Sequence, residues 1–347
     1  MNICLTYLII AAILVVAELV YFRIADKCNI IDKPNERSSH STVVLRGGGV
    51  ILAFSMLVWV VLQEVNGNCG VVLDYLPFLI GLVIIAGVSF IDDIRSLPDS
   101  VRLVAQFIAM GLMFWNLGII HCDMWWIVLI ALIVFVGATN IINFMDGING
   151  ITAGYSLAVL FPLFLLNNKS GEPFVLNSFL GVAILGVLVF SWFNFRPRGK
   201  AKCFAGDVGS VGIAFIMLFA IGKLILQTND TTWLVFLLVY GVDGCCTIIH
   251  RIMLHEKLGE AHRKHAYQIM ANELGMSHVV VSFIYMALQM VISLVMVYLV
   301  PNTVLAHWIY LVAVGIVLTG AYVLFIKKYY HLHEEYLGQL KVKNEKL

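Results

Sequence analysis

Long apolar runs separated by short polar breaks recur from one end of the chain to the other. A helix needs about 20 apolar residues to cross a bilayer's hydrocarbon core. Eleven runs meet or approach that length, at roughly 3–24, 47–65, 73–91, 101–120, 124–142, 151–167, 176–195, 209–226, 232–250, 279–299 and 304–326. No polar stretch between them is long enough to fold by itself. The pattern therefore predicts one all-α, polytopic helical bundle over residues 1–326, with about 11 transmembrane helices, and a cytoplasmic tail at 327–347. That tail mixes Lys, Glu and His and reads as a solvated, lipid-facing terminus. The first apolar run lacks the flanks and small-residue cleavage site of a signal peptide, and is expected to remain as an anchor.

Charge adds an orientation. The breaks on one side, such as 121–123, 227–231 and 300–303, are short, whereas the sizeable polar segments 25–46 and 251–278 fall on the other. Of the 22 Lys and Arg residues, only Lys169 and Lys223 lie on the short-turn side. The positive-inside rule then places the N-terminus outside and the C-terminus in the cytoplasm, consistent with an odd number of spans. Any chemistry is expected on the cytoplasmic face. With 61% hydrophobic and 12% charged residues and a mean hydropathy of +0.93, the chain carries more apolar surface than a soluble core could hide. The seven cysteines are odd in number and lack metal-site spacing, so neither a disulfide framework nor a zinc site is expected. No nucleic-acid partner is expected either.

Four constellations at the inner ends of the predicted spans carry candidate chemistry. Asp92 and Asp93 close the third span; they mark either a helix end paired with Arg95 or a site for metal-phosphate or proton transfer. Asn140, Asn143 and Asp146 recur every third residue, so a helix aligns them on one side before Gly147 opens a turn. A polar stripe at that depth should face a water-filled cleft, where amides and a carboxylate can bind a polar ligand. Helix packing would account for the asparagines but not for the acid and glycines that follow. A basic loop, Arg196 to Lys202, leads into Gly206-Asp207 at the start of the eighth span. Basic groups and a helix N-terminus suit phosphate, and Asp207 suits Mg²⁺, which takes one or two carboxylates plus phosphate oxygens; a plain N-cap is the competing reading. The largest inner loop carries His262-Arg263-Lys264-His265, four consecutive donors for phosphate, or else a basic surface against anionic lipid.

A fifth segment, Asp32-Lys-Pro-Asn-Glu-Arg-Ser-Ser-His40 followed by Arg46-Gly-Gly-Gly49, offers close backbone approach to a ligand or to another helix. Glu18 and Asp243 sit inside predicted spans, where an acid is costly, and each needs a partner that the sequence does not name.

Taken in order, these motifs resemble the polyprenyl-phosphate N-acetylhexosamine-1-phosphate transferases, the WecA/MraY family. The matching residues are Asp32-Lys33-Pro-Asn-x-Arg37 with His40 and Gly48-Gly49; Asp92-Asp93; Asn140-x-x-Asn143-x-x-Asp146-Gly; Phe204-x-Gly-Asp207-x-Gly-Ser210; and Arg263-x-His265. The similarity spans almost the whole chain. It implies Mg²⁺, or Mn²⁺ in its place, bound through Asp207 with Asp93. It also implies a UDP-N-acetylhexosamine contacted by Asn143 and Asp146 with its uracil on Phe204, and undecaprenyl phosphate near Asp92 and Asp93. Asp32, Lys33, Arg37, His40 and His262 are further substrate-binding candidates. In direct displacement, Asp92 takes the lipid phosphate's proton while Arg263 and His265 stabilise departing UMP; a two-step route through an aspartyl-phosphate stays open. The expected setting is a bacterial inner membrane with the active site on the cytoplasmic face, and a homodimer is allowed.

The chain departs from the family pattern at Asn149, where an acid is common; at His265-Ala-Tyr-Gln268, where only His265 of a histidine-rich stretch remains; and at Ser96. These departures point away from the peptidoglycan-precursor branch and toward enzymes that start O-antigen or capsule units on GlcNAc or a deoxy-aminosugar. Alternatives are a peptidoglycan-type transferase and, from other classes, a transporter or channel built on the intramembrane acids or a packing scaffold.

Overall fold

The computed structural model describes residues 2–32, 43–121, 125–169, 171–257, 259 and 262–344, with side chains described through 338. Lys33, Arg37 and His40 lie outside the described residues. Among the described residues the regular elements are helical apart from a two-residue antiparallel ladder, β1 (Ile31–Asp32) with β2 (Val44–Leu45), and a single bridge from Leu45 to Cys203. The helices are α1 (Ile3–Lys27), α2 (Val50–Val65), α3 (Cys69–Asp74), α4 (Leu76–Ile94), α5 (Asp99–Leu117), α6 (Trp125–Phe144), α7 (Ile151–Lys169), α8 (Asn177–Asn194), α9 (Gly206–Thr228), α10 (Leu238–Met253), α11 (Ala266–Asn272), α12 (His278–Tyr298) and α13 (Val304–Asn344). A 3-10 segment, Thr231–Leu237, runs directly into α10.

Each predicted span is a helix, and among the described residues ten segments are long and apolar enough to cross a membrane. The expected span at 47–65 is α2, an apolar helix of 16 residues, shorter than those ten. The physical reason lies at its start, where Arg46 and the glycines are held by the neighbouring loop instead of extending the helix. Even so, α2 runs alongside α8 in the opposite direction. Ser55 packs on Gly186, and Trp59 and Gln63 donate to the Ser178 hydroxyl at 3.1 and 3.0 Å.

Helix α9 is the core of the bundle. Every residue from Ile213 to Ile221 that carries a side chain is fully buried, as expected for a helix that is apolar all round. Phe78 of α4 stacks on Phe219 of α9 with ring centroids 4.2 Å apart, and Phe179 of α8 joins the same cluster. Where α2 crosses α9, a side chain on Gly209 would bring its Cβ to 2.6 Å from the Gly49 Cα, so two glycines are required for this approach. The outer helices present their apolar residues outward: α1 exposes Leu8 and Val16, and α13 exposes Leu305, Ile316 and Leu324. In water such surfaces would be a liability; against hydrocarbon they are the expected exterior. The chain is an integral membrane protein.

The expected tail is helical: α13 continues to Asn344, with most described side chains from 327 to 338 exposed and His333 2% exposed.

Candidate active site

One end of the bundle collects the polar groups, because successive helices present alternately a C-terminus and an N-terminus there. The segment after β2 is the first organiser. Phe204 N–H donates to the Leu45 carbonyl at 2.8 Å, and Gly48 and Gly49 N–H donate back to the Phe204 and Ala205 carbonyls at 2.9 and 3.0 Å. This backbone pairing lays Arg46 beside the end of α4. Its Nε donates to Asp93 Oδ1 at 2.8 Å, while the Tyr21 hydroxyl holds the Arg46 carbonyl at 2.6 Å.

Asp93 is tied into the fold. Oδ1 also accepts from the Asp207 amide at 2.9 Å, and Oδ2 accepts from the Val208 amide at 2.9 Å. The carboxylate thus satisfies two of the orphan amides of the α9 N-terminus from another helix, where negative charge also suits the helix dipole. Gly206 makes this possible: its φ is +69°, and a Cβ would stand 2.5 Å from Asp93 Oδ2.

The same cap aims Asp207, whose side chain is 18% exposed, into the cleft. Arg102 of α5 lies between it and Asp92, with Nη1 3.4 Å from Asp207 Oδ2 and 3.3 Å from Asp92 Oδ2. Arg102 also pairs with Asp99, and the other Asp92 oxygen accepts from the Leu97 amide at 2.6 Å. Among the described residues no group of three or more His, Cys, Asp or Glu could hold a metal. A divalent cation that relies on phosphate oxygens needs only one or two carboxylates. Asp207 fits that need, with Asp92 and Asp93 as the neighbouring carboxylates.

The polar stripe of α6 divides. Asn140 exchanges hydrogen bonds with Gln106 of α5 at 2.8 and 3.3 Å, a packing contact that also forms a cavity wall. Asn143 faces the cleft and accepts from Ser210 of α9 at 2.7 Å. Asp146, in the turn beyond α6, accepts from the Thr152 hydroxyl at 2.6 Å. Burial pushes its pKa up to about 7 despite that bond, with the Asp93 charge adding to the rise. Asn149 is 1% exposed, and its amide donates to the Arg196 and Pro197 carbonyls at 3.0 and 3.1 Å. The departure from an acid thus has a structural basis here, since an ionised carboxylate could donate to neither carbonyl.

Two cavities meet on these residues. The first, about 320 Å³, is lined by Asp32, Arg46, Asn143, Asp146, Phe204 and Asp207 among others, and is mostly polar. The second, about 500 Å³, has a wall of Ile85, Val88, Leu103, Phe144 and Val211, and ends at Arg102, Asp207, His262 and His265. Asn143 and Asp207 line both.

The four-residue basic run divides too. His265 reaches the second cavity; its Nδ1 lies 3.2 Å from Asp243 Oδ1. His262 lines the same cavity, but burial, reinforced by nearby His265 and Arg251, lowers its pKa to about 3, so it is a neutral imidazole rather than a cation for phosphate. Arg263 lines neither cavity. Its guanidinium lies 4.6 Å over the Tyr336 ring, with Nη1 3.1 Å from the Tyr336 hydroxyl and Nη2 3.4 Å from Glu273. Lys264 pairs with Glu256. Arg46, Arg102 and Asp243 were not singled out as site residues from the sequence; the available signals were an arginine directly before three glycines, an arginine one helical stretch beyond the paired acids, and a costly intramembrane acid.

Comparison with known proteins agrees with this arrangement. The model of glycosyl transferase family 4 matches residues 75–225, the stretch from α4 to α9. The chain is 26% identical over 272 residues to a probable undecaprenyl-phosphate N-acetylglucosaminyl 1-phosphate transferase of Bacillus subtilis, covering 74% of this chain and 73% of that protein. It is 27% identical over 297 residues to a decaprenyl-phosphate N-acetylglucosaminephosphotransferase of Mycobacterium leprae, with coverage of 74% and 73%. A phospho-N-acetylmuramoyl-pentapeptide-transferase of Moorella thermoacetica is 34% identical over 117 residues, 33% of this chain and 32% of that one. The chain is thus similar to glycosyl transferase family 4 over residues 75–225, and to membrane phosphotransferases that act on polyprenyl phosphates over about three quarters of its length.

Proposed function

We propose that the protein transfers an N-acetylhexosamine-1-phosphate, N-acetylglucosamine or a deoxy-aminosugar relative, from its UDP-sugar to undecaprenyl or another polyprenyl phosphate. The products are the polyprenyl-diphosphate sugar and UMP. The observation that carries this reading is the junction of a polar cavity and an apolar-walled cavity at Asn143 and Asp207. A nucleotide-sugar and a lipid phosphate are two such unlike ligands whose phosphates must meet.

In this reading Phe204, Asn143 and Asp146 receive the nucleotide, with Arg46 and Asp32 on the same wall. The prenyl chain lies along Ile85, Val88, Leu103 and Val211, with its phosphate at Arg102. A phosphate arriving on Arg102 competes for the guanidinium now shared by Asp92 and Asp207, and leaves Asp92 placed to take the residual phosphate proton. The lipid oxygen then attacks the sugar-bearing phosphorus and UMP departs, in line with the positioning and charge stabilisation such transfers need. A Mg²⁺ ion held by Asp207 would supply neutralisation of the diphosphate. His265 donates from the second cavity toward the same phosphates.

The relatives named for N-acetylglucosamine align with about three quarters of this chain, the pentapeptide-transferase with about a third. That contrast, with Asn149 and the single His265, supports a surface-glycan branch such as O-antigen or capsule. The described Lys and Arg residues gather at the site end, apart from Lys169 and Lys223, which supports a cytoplasmic site in a bacterial inner membrane and an outside N-terminus with α2 counted as a span. A transport path gains no support, because α9 fills the bundle axis.

The test is UMP release by purified protein with Mg²⁺ and a panel of UDP-N-acetyl sugars, including UDP-N-acetylmuramoyl-pentapeptide, with and without undecaprenyl phosphate. Release that requires both lipid and metal is expected, with the preferred sugar naming the branch. Folded protein that releases no UMP with any of them overturns the assignment.

A further inference from the structure

Asp243 of α10 is an intramembrane acid surrounded by donors. Its Oδ1 accepts from the Ala266 amide at 3.2 Å and the Thr247 hydroxyl at 3.2 Å, and lies 3.2 Å from His265 Nδ1. Its Oδ2 accepts from the Tyr285 hydroxyl at 2.5 Å. Asp243 is 4% exposed. A backbone amide can only donate, so the oxygen it shares with the imidazole is an acceptor, and Nδ1 must carry the hydrogen. His265 Nε2 is also buried, yet has no partner among the described residues, although the ring lines the second cavity. The ring cannot turn freely: it stacks on Tyr267 with centroids 5.7 Å apart, and its own α11 begins at the amide that Asp243 holds.

We infer that Asp243 is the positioning residue of His265: it holds the Nδ1–H and so aims Nε2 at a phosphate oxygen of the substrates that meet at Asp207, to which Nε2 donates when the ring is the imidazolium. An outer group that sets which imidazole nitrogen is protonated also sets what the other can do. Asp243 touches no substrate. The hydrogen-bonding role of Nε2 rests on the transfer reaction proposed above, whereas the tautomer does not. This arrangement also gives the intramembrane acid its partner: α10, α12 and the loop before α11 are tied together at one carboxylate.

Two measurements test it. In protein labelled with ¹⁵N-histidine and held at alkaline pH, the His265 resonance, assigned by its loss in His265→Gln, should report hydrogen on Nδ1. Asp243→Asn keeps an acceptor and should keep that form, whereas Asp243→Ala should shift it toward Nε2–H. A wild-type signal from Nε2–H, or one unmoved by Asp243→Ala, overturns the inference whether or not the enzyme turns over. In the transfer assay, Asp243→Ala should lower kcat on the order of 10²-fold with little change in the KM for UDP-sugar. Asp243→Asn should recover much of that rate, and Asp243→Ala with His265→Gln should be no slower than His265→Gln alone. A double variant slower by the product of the two losses would make Asp243 merely structural. Wild-type protein without turnover would count against the proposed reaction, leaving the tautomer to decide this inference by itself.

Discussion

Asp93 binds the amide of Val208 at 2.9 Å, so the end of one helix is the cap of another. The contact explains why two adjacent acids differ: Asp93 caps α9, whereas Asp92 pairs with Arg102, which lines the second cavity. Asp93→Ala should destabilise the protein by about 1–3 kcal/mol, since buried amides lose their acceptor. Asp92→Asn, whose partner Arg102 is half-exposed, should leave the melting midpoint near that of the wild type while lowering turnover more than UDP-sugar binding. Thermal melting in detergent, beside kcat and KM, separates them; equal melting losses would remove the distinction.

Asp207→Asn should lower turnover by roughly 100-fold or more while the protein still inserts and melts normally. The side chain is aimed into the cleft and its backbone amide, not its carboxylate, is what Asp93 holds. Titrating Mg²⁺ against turnover checks the cause, because a lost ligand shifts the metal dependence. Wild-type rates would refute the metal assignment.

The spans were legible in the sequence because apolar length is a one-dimensional property. Asp207 and Asn143 were legible too, since each sits in a local motif whose spacing survives folding. Contacts far apart in the chain were not. Arg46 lies 47 residues before Asp93, and Asp243 lies 22 residues before His265 on a different helix. Nor was the place of Arg263 legible: its guanidinium lies against Tyr336, 73 residues later.

Asp146 predicts a pH effect on stability. Its folded pKa, about 7, lies above the ordinary carboxylate value because of burial. Between that ordinary value and about 7 the folded chain keeps a proton the unfolded chain has released, so stability falls as pH rises through this window and levels off above it. Asp146→Asn lacks that dependence. Its melting midpoint should gain on the wild type between pH 5 and pH 8, and curves that stay parallel would contradict the burial argument.

Asn149→Asp restores the acid common in the family and should destabilise this chain by about 1–3 kcal/mol, because two carbonyls lose the donors they share. The Ser282 hydroxyl on the Asn149 carbonyl and the Asn194 amide oxygen on Gly150 N–H fix the turn around it, leaving little room to relax. Denaturant or thermal midpoints give the answer; a more stable variant would mean that the donor role of Asn149 is minor.

The end of α13 offers the remaining test. Tyr336 covers Arg263, His333 lies 3.0 Å from Glu273, and Lys264 sits 5.6 Å over Tyr330. These contacts bear on the segment from Arg263 into α11, which carries His265 into the second cavity. A chain ending at Lys328 keeps the membrane-spanning part of α13 and removes all three. It should insert normally, lose several-fold in kcat, and become more open to proteolysis around 262–265. Tyr336→Ala should show a smaller loss of the same kind, since a cation–π contact of a partly buried arginine is worth roughly 0.5–2 kcal/mol. If the shortened chain keeps wild-type kcat and protease resistance, the extension does not hold the loop, and the order of 262–273 must come from Asp243 and the Glu256 pairs alone.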